Sequence, residues 1–360
     1  MSGQTTPLRP GAGGTTTPGQ AAPPAKHRVA ASLRHALPKS YLLLVLLGII
    51  IIGFIASPDF LTARNASNVI TFSAIIAVLA VGQFFVILTG GIDLSVGSTV
   101  ALSTVVTAML LKQGLPAGAA VITTLAACAL VGLFNGVLIV WLGLAPFIAT
   151  LATLSMVQGL SYIIQSTSLI QITNEQFITW FADGSVLGIP NPVVIFVLLT
   201  VVAALVSKYS TFGRRLYAVG GNREAARLSG LPVNRDLLVT YTVSGLLAGL
   251  AGLLAAAQLL QGSSLVGQGY ELDAIAAVVV GGASLFGGRG DPISAVVGVI
   301  IIATITNIMN LVGISSQPQL VIKGAVIIIA VFLSSAGGVA RISGALSGRR
   351  GRRAPKEKAA

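Results

Sequence analysis

The sequence predicts an all-α, polytopic membrane protein of about ten transmembrane helices, and three observations carry that reading. Between Arg64 and Arg341 the chain is a near-unbroken series of uncharged apolar stretches, the longest of which, 113–174, holds 62 residues without Asp, Glu, Lys or Arg. A bilayer core of roughly 30 Å takes about 20 apolar residues in helical form, so that stretch is two spans joined by a short turn. Composition agrees: 54% of residues are hydrophobic, 9% are charged and the mean hydropathy is +0.91, whereas a soluble helix keeps a polar face for water. Glycine is abundant, 42 of 360 residues, as expected where small residues let membrane helices approach closely.

In chain order, residues 1–39 are rich in Pro, Gly, Thr and Ala, cannot bury enough to fold, and read as a disordered basic cytoplasmic tail. A cleaved signal peptide does not fit, because the polar lead is long and the apolar run 41–57 is span-length. The transmembrane domain occupies 40–340, with spans at 41–57, 68–90, 94–111, 117–143, 147–166, 191–207, 237–260, 272–287, 292–312 and 319–337. Pro146 opens the fifth span, and Asn191-Pro192 and Asp291-Pro292 each place a side-chain acceptor before a proline at a helix start. Gly90 and Gly91 break the second span, after which Asp93 is an N-cap for a helix beginning near Leu94. Residues 341–360 form a second basic cytoplasmic tail.

The net charge of +12 is clustered: +5 in 1–39, +4 in the loop 208–236 and +6 in 341–360. Basic residues gather on the cytoplasmic side of membrane proteins, so the pattern reads as topology and not as a nucleic-acid surface. Ten crossings place both termini in the cytoplasm with 19 of the 22 basic residues, and leave Arg64 and Lys112 outside and Lys323 within the last span.

Several chemistries are excluded. No Gly-Lys dipeptide occurs, so there is no phosphate-binding loop of the G-x-x-x-x-G-K-[ST] kind. Cys128 is alone, His27 and His35 lie in the tail, and no metal-ligand spacing or G-x-S-x-G turn is present. Charges near spans are few, namely Asp93, Glu271, Asp273 and Lys323, which is sparse for an ion-coupled carrier. A pump of this composition draws its energy from another subunit.

Three segments combine polarity with special backbone demands. In Gly90-Gly-Ile-Asp-Leu-Ser-Val-Gly97, Gly90, Gly91 and Asp93 form a tight inter-helix turn with a gating or interface role as the alternative. In Gly281-Gly-Ala-Ser-Leu-Phe-Gly-Gly288, Gly281, Gly282, Gly287 and Gly288 form a compact turn or a gating element. The third, Tyr217-Ala-Val-Gly-Gly-Asn-Arg-Glu-Ala-Ala-Arg-Leu-Ser-Gly230, lies in the basic loop. It predicts a short helix over 224–228 with Asn222 as N-cap and Gly230-Leu-Pro232 as its stop, its small residues suited to a groove on a partner. Gly221, Asn222, Glu224, Ala225, Ala226 and Gly230 are its coupling residues.

These three blocks, with Pro146-Phe-Ile-Ala-Thr-Leu-Ala-Thr-Leu154, resemble the permease subunits of bacterial ATP-binding cassette (ABC) importers of the ribose/xylose/galactose family over about 40–340. The resemblance implies a non-enzymatic pathway subunit in the inner membrane that takes up a monosaccharide. It also implies a second permease copy or homologue, an ATPase subunit that carries ATP and Mg, an extracytoplasmic sugar-binding protein and surrounding lipid, with no nucleic acid and no cofactor or metal on this chain. Glu224-Ala-Ala-x3-Gly230 resembles the start of the loop that docks permeases to their ATPases, although Leu231-Pro232 follows without the usual longer spacer. A permease for nucleosides or branched-chain amino acids is the alternative, followed by a stand-alone ion-coupled carrier. Polar mid-span residues that could line the pathway, or link helices instead, are Gln83, Asn135, Gln158, Tyr162, Asn307 and Asn310. Phe84 and Phe134 read as lipid-facing or core-packing residues and not as sugar platforms.

The topology is directly testable. Reporter fusions after Ser210 and after Ser347 are expected to report cytoplasm, and fusions near Arg64 and Glu175 the outside. Exposure of 208–236 on the outside would overturn the ten-span arrangement.

Overall fold

The computed structural model describes residues 42–334 except residue 167; the predicted tails, with His27 and His35, lie outside the described residues. The described residues are mostly helical. It runs α1 (Leu42–Ala56), α2 (Ala63–Leu88), α3 (Val96–Lys112), α4 (Ala117–Val140), α5 (Pro146–Gln165), α6 (Glu175–Ile178), α7 (Asn191–Tyr209), α8 (Thr211–Gly221), α9 (Arg223–Leu228), α10 (Val233–Leu259), α11 (Tyr270–Val280), α12 (Pro292–Leu311) and α13 (Ser316–Ser334). Two-residue strands make two small antiparallel pairs: β1 (Ile170–Gln171) with β4 (Gln261–Gly262), and β2 (Ser185–Val186) with β3 (Ile189–Pro190). Leu187 and Gly188 turn the second pair with φ of 53° and 79°, the positive dihedrals that a two-residue hairpin needs.

Six helices, α2, α4, α5, α7, α10 and α12, are long and apolar enough to cross a bilayer, and α1 and α3 are apolar but shorter. The predicted span 272–287 is corrected: its helix stops at Val280, where Gly281 leads into Gly282 at φ +91°, and 11 residues are too few for a single straight crossing. The basic loop, read as holding one short helix, holds two. Ser210 accepts from Gly213 N at 2.9 Å to start α8, and Asn222 accepts from Ala225 N at 2.9 Å to start α9.

Burial separates centre from rim. In the most apolar window of each helix, 78% of α2 and 67% of α10 is buried, against 28% for α4, α5 and α7. α10 packs on α4, α3 and α2, and α11 packs on α12, α2 and α13. Large apolar side chains such as Ile55, Ile148, Ile163 and Leu198 face outward, a surface that hydrocarbon tolerates and water does not.

The α4–α10 contact is made by backbone. A Cβ on Gly132 would overlap Tyr241 O, and one on Gly245 would overlap Cys128 O. With lipid as apolar as the helices, such close approach is what holds them together. Gly245→Val is therefore expected to destabilise the purified protein by roughly 1–3 kcal/mol through overpacking, read as a lower Tm. Gly159→Ala, which meets nothing within 4 Å, should leave Tm unchanged or slightly raised.

Candidate functional site

The three glycine-bearing segments, far apart in sequence, meet at one end of α2. Gly288 N donates to Leu88 O at 2.9 Å. A Cβ on Gly220 would overlap Leu88 O and Gly288 N, and one on Gly287 would lie 2.8 Å from Gly90 N. Gly287 and Gly288 have φ of 85° and 70° and Gly90 has φ of 77°, so side chains are excluded by conformation as well as by space. Tyr217 of α8 donates to Gly290 O at 2.9 Å. Of the other predicted turn residues, Gly281 touches the Ser294 backbone of α12, Gly282 serves the stop of α11, and Gly91 lies against the Tyr241 hydroxyl.

From this node α8 carries α9 outward. Arg215 grips Asp236, at the start of α10, through two parallel 2.8 Å hydrogen bonds. That contact raises the guanidinium pKa above its ordinary value, and its fork geometry fixes α8 against α10. Ala226 is buried with Val219, Val233 and Leu237, so it faces its own chain. Glu224, Ala225 and Arg227 are exposed; Glu224 accepts from Arg227 at 3.2 Å, a surface pair of little energetic weight. Leu228 is 80% exposed, and Phe286, in the adjoining glycine turn, is 85% exposed. Gly230 ends the helix at φ +77°.

Beyond the node lies a buried polar cluster centred on Asp93, which is 1% exposed. Its Oδ1 accepts from Ser95 N at 3.0 Å and from Ser95 Oγ at 2.7 Å, and its Oδ2 accepts from Ser244 Oγ at 2.8 Å. Asn135 Nδ2 donates to Ser95 Oγ at 2.8 Å. With its amide turned to satisfy both groups, Gln83 donates to Asp93 O and accepts from Asp93 N, each at 3.2 Å. Asp93 thus joins α2, α3, α4 and α10 in place of capping a helix at Leu94: α3 begins at Val96, and the carboxylate closes a turn on Ser95. Among the described residues it has no ion-pair partner, and the Tyr241 hydroxyl is buried without a hydrogen bond.

The six pathway candidates fall into three separate groups. Gln83 and Asn135 belong to the Asp93 cluster. Gln158 Nε2 donates to Ser264 O at 2.7 Å and the Tyr162 hydroxyl accepts from Gln268 at 3.2 Å, both tying α5 to the segment before α11. Asn307 exchanges amide hydrogen bonds of 2.8 and 3.0 Å with Asn65, and Asn310 accepts from Gln319 at 2.8 Å. Phe84 is core and Phe134 is exposed. Sequence reasoning missed Asn65, Arg215, Asp236, Tyr241 and Ser244; the spacing of Tyr241 and Ser244, one turn apart in α10, was the available signal for the last two.

A family model described as the permease component of the branched-chain amino acid transport system matches residues 65–331. The chain belongs to that permease family. It is 44% identical over 287 residues to the ribose import permease of Bacillus subtilis (strain 168), covering 79% of this chain and 89% of the relative. Against the D-allose transport system permease of Escherichia coli (strain K12) it is 39% identical over 284 residues, 79% and 87% of the two chains. Against the galactose/methyl galactoside import permease of the same organism it is 38% identical over 312 residues, 81% and 92%. As a permease component, the protein is a transport subunit and not an enzyme.

Asp93→Asn keeps the shape of this cluster but turns an amide NH2 toward the Ser95 or Ser244 donors. Leaving a buried donor unpaired costs about 1–3 kcal/mol, so the permease should lose several degrees of Tm in detergent, and Asp93→Leu should lose more. An unchanged Tm in both variants would show that the carboxylate carries no structural weight.

Proposed function

We propose that this permease forms the membrane pathway of an ATP-driven importer of a monosaccharide. The observation that supports it most strongly is the 38–44% identity to ribose, D-allose and galactose/methyl galactoside permeases along nearly their whole length. The ribose/xylose/galactose class of substrate, an extracytoplasmic sugar-binding protein and an ATPase that holds ATP and Mg follow by likeness to those relatives. The proposed arrangement is two permease chains, identical or homologous, in the inner membrane. Ten crossings and two cytoplasmic termini are supported by the clustering of basic residues and by the helices that lie at each predicted span; α11 and α13 then complete the crossings with the turns beside them.

In this reading α9 is the contact to the ATPase. The helix is fixed from below by Ala226 and by the Arg215–Asp236 fork while Ala225 and Leu228 stay exposed, so a partner groove meets a rigid, small-faced knob with one apolar anchor. The description of the matched family favours a second reading, uptake of a branched-chain amino acid. Accumulation of labelled ribose, galactose and leucine in cells that express the full importer separates the two, because leucine uptake without sugar uptake would overturn the sugar assignment.

Ala225→Trp adds bulk on the exposed face, and Gly230→Val strains a positive-φ stop, whereas Glu224→Ala removes only a surface pair worth about 0.3–1 kcal/mol. Normal membrane levels are expected for all three, with ATPase co-purification and sugar uptake lost in the first two, by about tenfold or more. Full uptake in Ala225→Trp and Gly230→Val would reduce the loop to a positively charged anchor.

A further inference from the structure

At the end of α2 remote from the glycine node, a cleft of about 330 Å³ opens between the start of α2, the end of α12 and the middle of α13. The distance from Asn68 to Leu88 is about 30 Å along the helix, so this cleft is separate from the turn and coupling residues. Its volume is at the small end of the roughly 300–1,000 Å³ typical of ligand sites.

The lining has an unusual balance for a membrane helix bundle. Lys323 Nζ donates to Asp273 Oδ2 at 2.8 Å, so among the described residues the charged groups that line the cleft cancel. The reciprocal Asn65–Asn307 pair braces α2 against α12. Capacity to bind something else remains. Asn310 accepts from Gln319 and keeps its NH2, Lys323 keeps two N–H groups, and Asp273 Oδ1 keeps its lone pairs. The Asn68 amide and the Thr306 hydroxyl line the cleft, and among the described residues neither makes a hydrogen bond. Phe72, 60% exposed, adds an aromatic face.

We propose that this cleft is a binding site for a neutral polyol, a free monosaccharide, within a single permease chain. An anion or a cation would have to compete with the Lys323–Asp273 pair. A sugar presents hydroxyls that donate and accept together, which amides and a threonine hydroxyl answer in both directions, and C–H faces that pack on an aromatic ring. This assignment rests on the monosaccharide reading above and adds where, on this chain, the sugar is held.

The test uses the full-length permease in lipid nanodiscs with D-ribose alone as probe, read by saturation-transfer NMR, and uptake by the complete importer in cells. Wild-type protein is expected to transfer saturation to ribose, and Thr306→Val and Asn68→Leu to reduce that transfer at least fivefold with unchanged Tm. Thr306→Ser should restore it, and Ser155→Ala, on the exposed face of α5, should match wild type. Ribose contact that survives both cleft substitutions would overturn the site, as would absence of contact in the wild type. Retention of a glycerol-headgroup lipid by wild type and its loss in the variants, without ribose contact, would assign the cleft to lipid and overturn the free-sugar proposal. If wild-type cells accumulate no monosaccharide, the importer reading itself fails; if they accumulate it and the cleft variants do so equally, only the cleft assignment fails.

Discussion

A carboxylate almost without solvent contact, set among largely apolar helices, has to be answered by donors from whichever chain segments can reach it, and Asp93 organises the permease on those terms. Its two oxygens take three hydrogen bonds from Ser95 and Ser244, its backbone is held by Gln83, and Ser95 is held in turn by Asn135. Ser95 stands at the start of α3, Ser244 on α10, Gln83 on α2 and Asn135 on α4, so these helices can move apart only by leaving a buried polar group unpaired. Burial of an unpaired charge is far more costly than loss of an apolar contact.

Close packing supplies what this polar cluster does not. The glycines of α4 and α10 bring backbones together where any side chain would collide, and Gly220, Gly287 and Gly288 do so again where α8 meets the turn after α11. Part of the abundance of glycine visible in composition lies at these crossings. In a lipid solvent the alternative, apolar side chains meeting apolar side chains, gains little over contact with acyl chains.

What could be read from sequence divides along the range of the interactions. Local devices were legible: Pro146 and Asp291 mark their helix starts, Asn222 caps α9, and Gly230 ends it. The positions of the six long apolar helices were legible because hydrocarbon acts on each segment separately. The partners of the polar residues were not, since Ser244 reaches Asp93 across 151 positions and Lys323 reaches Asp273 across 50. All four charged or polar positions can be seen in the sequence, but their pairing is set by helix packing. Ala226 is instructive in the same way. Its place beside Ala225 in a small-residue motif suggested one shared contact face, whereas helical rotation turns it into the core formed with Val219, Val233 and Leu237.

The two ends of α2 then acquire different mechanical characters. At the node, Leu88 O, Gly220 and Gly288 touch through backbone alone, so a shift of α8 is felt without side-chain rotamers to absorb it. At the opposite end, α2 is braced against α12 by a reciprocal pair of amides beside an open cleft. Between the two ends, Gln83 of α2 holds the backbone of Asp93, whose carboxylate reaches Ser244 of α10.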